Sequence, residues 1–92
     1  MTRLIVIHPA DHVATAAEAI PAGGCGVYTE NGKELHIQAL TDIPKYHKIA
    51  IKPVREGENV LKYGEVIGYA LRDIPLGDHV HTQNLSDFRK EL

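Results

Sequence analysis

The chain has 92 residues, 43% of them hydrophobic and 24% charged, which is enough for one small domain and too few for two. A formal charge of −2 with scattered basic residues argues against a nucleic-acid partner, and no apolar run approaches the ~20 residues that cross a bilayer. Cys25 is the only cysteine and no signal-type segment opens the chain, so we expect a cytoplasmic protein without internal disulfides.

The first segments predict short strands. Residues 4–8 are aliphatic and end at Pro9, which cannot donate to a strand ladder. Residues 11–20 are ambiguous, because their alanines favour a helix while Val13, Thr15 and the flanking prolines allow an extended strand. We predict a strand there.

The clearest local signal is a hairpin. Asn31-Gly32 accepts the positive φ angles of a tight turn, so residues 26–29 and 34–40 are predicted to pair antiparallel. Alternation of apolar and polar residues in the second strand places His36 on its polar face. Further strands are predicted at 49–54, at 60–63 and 65–71 around a kink or bulge at Gly64, and at 80–85. The domain is predicted to cover residues 1–85, followed by a short tail or a helical turn capped by Ser86 over 86–92.

One pattern occurs three times. Residues 19–23, 42–49 and 73–80 each contain Ile-Pro at a predicted corner, and two of the three also carry a glycine. Three similar corners among short strands predict a strongly bent all-β fold rather than a flat meander.

Histidines supply the first candidates for chemistry. His8 and His12 flank Asp11 in a predicted loop. Such a loop is suited to binding a metal, or its carboxylate to orienting an imidazole for proton transfer. A loop that is only solvated is the simpler interpretation. His79 and His81 share one face of a predicted strand, a spacing that offers two ligands to one metal or forms a polar edge facing water.

Two turns carry cations. His47-Lys48 and Lys62-Tyr63 each place a cation beside a second polar group, and either pair is suited to binding a carboxylate, a sulfonate or a sugar-acid oxygen. A lysine or tyrosine there becomes an acid or base if its pKa is lowered, although surface lysines are usually only solvated.

Four motifs follow one another along the chain. They are His8-Pro9-Ala10-Asp11-His12-Val13-Ala14, Asp42-Ile43-Pro44 with His47-Lys48-Ile49-Ala50, Leu61-Lys62-Tyr63-Gly64-Glu65-Val66-Ile67-Gly68, and Asp73-Ile74-Pro75-Leu76-Gly77 with Val80-His81-Thr82-Gln83-Asn84. Together and in this order they resemble the small SAF domain of the altronate and galactarate dehydratase family. The resemblance covers nearly the whole chain and implies a β-clip fold.

The resemblance implies the small subunit of a metal-dependent hydro-lyase. Such a subunit would act with a separate large catalytic subunit on a sugar acid or another hydroxy acid, with Fe²⁺ or Mn²⁺ in the complete enzyme. The chain begins with Met1 and ends soon after the last motif, which we interpret as a separate subunit, with a homo-oligomer also open. Alternatives are a sulfolactate sulfo-lyase small subunit and a non-catalytic SAF module that binds carbohydrate acids or proteins.

The positions that match the family motifs give the residues of the expected site. His8 and His81 are the candidates for metal binding or proton transfer, and Lys62 and Tyr63 are further catalytic candidates. The residues expected to bind substrate are Asp11, His47, Lys48, Gly64 and Asn84. The family commonly has Asn at the position of His12 and a second histidine at the position of Gln83.

Overall fold

The fold is taken from a computed structural model, which describes residues 1–87. Within that range the regular structure consists of nine strands and no helix, so the prediction of an all-β protein is confirmed. Residues 88–92 of the predicted tail lie outside the described part of the chain, and Ser86 belongs to a strand. The strands are β1 Thr2–Ile5, β2 Val13–Ala16, β3 Cys25–Glu30, β4 Lys33–Gln38, β5 Lys48–Ala50, β6 Asn59–Lys62, β7 Glu65–Ala70, β8 His79–Val80 and β9 Leu85–Ser86.

The strands form two sheets. Six strands lie in the order β4-β3-β1-β2-β5-β8, and three in the order β6-β7-β9. Neighbouring strands are antiparallel except for β1 and β3, which are parallel. Between residues 1 and 87 no helix is long and apolar enough to cross a membrane.

Four corners of the same construction connect the strands. Ile20 pairs with Ile43 and Val54 pairs with Ile74, each through an isolated antiparallel bridge. The third residue after each bridge residue has a positive φ: Gly23 (83°), Tyr46 (67°), Gly57 (83°) and Gly77 (88°). The three predicted corners are therefore present, and a fourth begins at Val54, where no Ile-Pro pair marks it in the sequence.

The corners close two hydrophobic cores. Leu4, Tyr28 and Ile37 pack in the first core around the bridge pair Ile20 and Ile43. The second core surrounds the other bridge pair, with Val60 and Val80 fully buried. Strands β2 and β5 serve both cores, because successive residues of a strand point to opposite faces. The continuous burial of these two central strands explains why 11–20 lacks a clear alternation.

Gly64 is a turn residue rather than a kink. Tyr63 and Gly64 both have positive φ, 59° and 73°, between the paired residues Lys62 and Glu65. This is the geometry of a two-residue hairpin turn, which Asn31-Gly32 also forms as predicted. The irregularity expected at Gly64 lies instead between Val60 and Leu61, inside β6.

The strand predicted over residues 80–85 is interrupted. It divides into β8 and β9, and the residues between them form a turn. The physical reason is Asn84, whose side-chain oxygen accepts a hydrogen bond from the backbone N–H of His81 at 3.0 Å. A side chain that binds its own backbone competes with the strand ladder and favours a turn.

Candidate functional site

Three histidine rings stack at the ends of β5 and β8, and we refer to His47, His79 and His81 as the histidine triad. Ring centroids lie 4.8 to 5.5 Å apart, and the three planes are within 26° of one another. Nδ1 of His47 is 2.9 Å from Nε2 of His79, and each ring offers a nitrogen within 4.8 Å of the other two. Two of the rings are half-buried, whereas His81 is exposed.

Strand pairing brings the triad together. In the β5–β8 ladder, Lys48 pairs with Val80 and Ile49 with His79, so the same register continued by one step places His47 opposite His81. Opposite residues on antiparallel strands have neighbouring side chains. The triad thus consists of the cross-strand pair His47 and His81, with His79 next to them on β8.

A buried amide fixes the backbone of two triad residues. Asn84 is fully buried, and its Nδ2 donates to the carbonyl oxygen of His79 at 2.8 Å and to Oδ2 of Asp78 at 3.3 Å. Its Oδ1 accepts from His81, as described above. Asn84 was predicted to bind substrate, but the structure gives it no exposed surface and places it beneath the triad as a positioning residue.

The surroundings of His79 favour its neutral imidazole form. Burial lowers the pKa of His79, and the nearby His47, His81 and Lys48 add to this effect, against the opposing charge of Asp78. A neutral imidazole has a free nitrogen lone pair at neutral pH. His79 therefore favours the neutral form, in which one ring nitrogen has a lone pair available for a ligand.

Beside the triad lies a second group, Lys48, Lys62 and Tyr63, which we call the lysine–tyrosine group. Lys62 is only 8% exposed, and its Nζ lies 3.5 Å from the centroid of the Tyr63 ring. Hydrogen bonding and charge from Lys62 lower the pKa of the Tyr63 phenol, and Lys48 and Thr15 act in the same direction. The group is therefore cationic, with an exposed hydroxyl of lowered pKa.

The turn that carries His8 and Asp11 packs against the β6–β7 hairpin. The buried carboxylate of Asp11 accepts hydrogen bonds from the backbone N–H groups of His8 (3.2 Å), Tyr63 (3.0 Å) and Gly64 (2.8 Å). Burial alone would raise the pKa of Asp11, but these three bonds and the charge of His8 outweigh it, so the pKa is lowered. Asp11 thus fixes the turn on which Tyr63 is displayed.

The structure separates the two histidines predicted as metal ligands. His81 belongs to the triad, whereas the exposed ring of His8 lies against Gly64 and accepts a hydrogen bond from the N–H of Ala10. Among the described residues, the group able to hold a metal contains His47 and His79 in addition to His81, and it excludes His8.

Lys48 connects the two groups. It lines an open groove of about 490 Å³ together with His81, Thr82 and Ile67, and its charge also reaches Tyr63. The groove therefore brings the His81 imidazole and the Lys48 ammonium group to one accessible surface, which also includes Asp87. Such an arrangement suits an anionic ligand that also carries hydroxyl groups.

Two site residues were missed at the sequence level. His79 was noted for its spacing to His81 but was not placed among the site residues, and Thr15 was not considered. The repeated corners were an available signal, because those at residues 42–49 and 73–80 each deliver a histidine to the start of a strand. Only the pairing of those strands shows that the histidines meet.

Comparison with known proteins gives a consistent family. The model of the altronate/galactarate dehydratase SAF domain matches residues 2–87. The altronate dehydratase of Bacillus subtilis is 35% identical over 89 residues, and that of Escherichia coli is 41% identical over 80 residues. The alignments include 91% and 87% of this chain but only 16% and 15% of the two enzymes, so the chain spans a small part of these relatives.

A relative of similar length is a named subunit. The (2R)-sulfolactate sulfo-lyase subunit alpha of Chromohalobacter salexigens is 33% identical over 88 residues, and the alignment includes 91% of this chain and 94% of that protein. The relatives are thus dehydratases and lyases, and they include both long enzymes and a short subunit.

Proposed function

The chain belongs to the altronate/galactarate dehydratase SAF-domain family, and from that membership we propose that it is the small subunit of a metal-dependent sugar-acid dehydratase. A separate large catalytic subunit completes the enzyme, which eliminates water from a hydroxy acid in the cytoplasm. The observation that carries the proposal is the open groove at which His81 of the histidine triad meets Lys48 of the lysine–tyrosine group.

Elimination from a hydroxy acid sets clear demands. A base removes the proton next to the carboxylate, negative charge accumulates on the carboxylate oxygens, and the leaving hydroxyl needs an acid. A divalent ion, Fe²⁺ or Mn²⁺ in the complete enzyme, supplies Lewis-acid stabilisation of these oxygens when bound. The remaining demands fall on side chains of the two subunits.

The lysine–tyrosine group meets the demand for charge. Lys48, which lines the partly apolar groove, binds the substrate carboxylate, because an ammonium group there forms strong charge-assisted hydrogen bonds. Lys62 is nearly buried against the Tyr63 ring and acts through Tyr63. Tyr63 transfers a proton, a role supported by the lowered pKa of its exposed phenol. Asp11 and Gly64 contribute by shaping the turn that presents Tyr63.

His81 and His8 remain the candidates for proton transfer within the imidazole set. Both rings are exposed, so both are accessible to a substrate held between the subunits. The half-buried His47 ring stacks on His81, and from this position it contacts the substrate.

The test is to purify this protein from its native source, to identify any large chain that co-purifies with it, and to reconstitute the pair. The pair is assayed on altronate, galactarate and sulfolactate, with the 2-oxo acid product and released sulfite both measured. We expect 2-oxo acid only when both chains are present, and strongly reduced turnover for His81→Ala and Lys48→Ala. His36→Ala is the matched control, because His36 is exposed and pairs only with Glu34 among the contacts described.

Two outcomes would redirect the proposal. Release of sulfite from sulfolactate would identify a sulfo-lyase subunit, which the near-complete coverage of the Chromohalobacter salexigens subunit supports as the second candidate. The alternative of a non-catalytic binding module would stand if the large chain alone were fully active and if His8→Ala and His81→Ala left the activity of the complex unchanged.

A further inference from the structure

The histidine triad brings three imidazole nitrogens within 4.8 Å of one another, and one of its rings, that of His81, is exposed to solvent. We propose that His47, His79 and His81 form a transition-metal site that this chain builds alone, with open coordination positions toward the groove.

The distances suit a single ion. Bonds of about 2.1 Å from one ion to two imidazole nitrogens place those nitrogens roughly 3 to 3.5 Å apart. Nδ1 of His47 and Nε2 of His79 are already 2.9 Å apart, and all three nitrogens lie within 4.8 Å of one another. His81 is exposed, so rotation of its side chain closes the remaining gap without moving the buried backbone.

The chemistry of the donors selects the ion. Three imidazoles suit Zn²⁺, Co²⁺, Ni²⁺ or Fe²⁺, whereas Mg²⁺ and Ca²⁺ prefer oxygen ligands. The carboxylate of Asp78 is occupied by the N–H of His79 and by Nδ2 of Asn84, so it orients the triad from behind. Three protein ligands with open positions are typical of a catalytic rather than a structural metal site.

The site is also preorganised. Asn84 fixes the backbone at His79 and His81, and the β5–β8 ladder fixes His47 against them. Buried supporting hydrogen bonds of this kind hold ligands in place before the ion arrives. The inference does not rest on the proposed lyase function, since a metal-binding domain without a catalytic partner would bind the same ion.

The experiment uses the untagged chain after removal of metals with a chelator. Co²⁺ is titrated in while its visible absorption is recorded, and Zn²⁺ binding is measured by calorimetry. We expect one ion per chain, no displacement by excess Mg²⁺, and affinity lowered by more than roughly tenfold in His47→Ala, His79→Ala and His81→Ala. His36→Ala and His8→Ala, which alter histidines outside the triad, should bind as the parent does.

Several results would overturn the site. They are the absence of stoichiometric binding by the parent chain, unchanged affinity in all three triad variants, or an equal loss in His8→Ala or His36→Ala. Circular dichroism checks the fold of each variant. If His79→Ala unfolds, the decision rests on His79→Gln and on the exposed His81→Ala, whose side chain supports no core.

Discussion

Nδ1 of His47 lies 2.9 Å from Nε2 of His79, although 32 residues separate them in the chain. The two residues meet because one corner precedes β5, a second precedes β8, and the two strands pair antiparallel. The geometry of the triad therefore depends on the left-handed residues that shape these corners. Of these, Gly77 lies just before His79 and is the most restricted sterically.

Gly77→Ala should destabilise the domain much more than Gly57→Ala. Both glycines have positive φ, 88° and 83°, so both substitutions incur the left-handed strain of about 1 to 2 kcal/mol. A Cβ at Gly77 would in addition overlap the carbonyl oxygen of Gln38, whereas a Cβ at Gly57 meets no atom within 4 Å. Chemical denaturation measures both free energies of unfolding. Equal losses would show that the backbone at Gln38 moves aside freely.

Asn84→Ala should lower the free energy of unfolding by about 2 to 4 kcal/mol. It removes the acceptor of the His81 N–H and one of the two amide donors to the His79 carbonyl, and it leaves a cavity at a fully buried position. Gln83→Ala is the control, since exposed Gln83 donates to the same His79 carbonyl at 2.9 Å. Its loss should be within about 1 kcal/mol, because water replaces the amide. Urea denaturation measures the free energy of unfolding of both variants. Similar losses in the two would contradict a supporting role for Asn84.

Lys62→Met should raise the pKa of the Tyr63 phenol. The substitution removes the hydrogen bond and the positive charge that favour the phenolate. Ultraviolet absorption during an alkaline titration reports the phenolate, and the difference from Tyr63→Phe assigns the signal. Lys52→Met provides a matched control, because Nζ of Lys52 is bound to the carbonyl oxygen of Pro9 instead. A Tyr63 titration unchanged by Lys62→Met would remove the physical basis for Tyr63 as a proton-transfer group.

The sequence predicted the local elements of the fold well. Asn31-Gly32 forms the expected tight turn, because its backbone preference is local and strong. The Ile-Pro corners are likewise present, since each combines a buried isoleucine with a fixed turn. The corner at Val54 was missed because Val54-Arg55 stands where the other three corners have Ile-Pro, although Gly57 has the same positive φ.

The site was less predictable because it depends on pairing between distant strands. The spacing of His79 and His81 indicated that these two rings are neighbours, and His47 was expected at the substrate. That His47 meets them follows from the β5–β8 register, which no local pattern encodes. Asn84 was expected to bind substrate because it matches a position of the family motif, and no local pattern supported that role. Period-two alternation places it on the same face as the buried Val80, and in the structure it is fully buried at the turn that its own side chain stabilises.

His12→Asn should make the stability of the domain less sensitive to acid. Burial, reinforced by the charge of Lys52, lowers the pKa of His12, and its Nδ1 accepts a hydrogen bond from the N–H of Leu61 at 2.9 Å. The unfolded chain therefore binds a proton at this histidine more readily than the folded domain does. The stabilisation is complete above the ordinary histidine pKa of about 6.5 and is lost as pH falls through the lowered folded value.

Asparagine keeps an acceptor near the Leu61 amide but has no proton to gain. The free energy of unfolding, measured with a chelator present at about pH 7.5 and 5.5, should fall less in His12→Asn than in the parent chain. His79 titrates in both proteins, so its contribution cancels in the difference. The exposed His36→Asn controls for the loss of one histidine, and an equal acid response in all three proteins would contradict the assignment. In that case protonated His12 would have to be accommodated in the folded state by breaking its bond to Leu61, which hydrogen exchange at that amide would reveal.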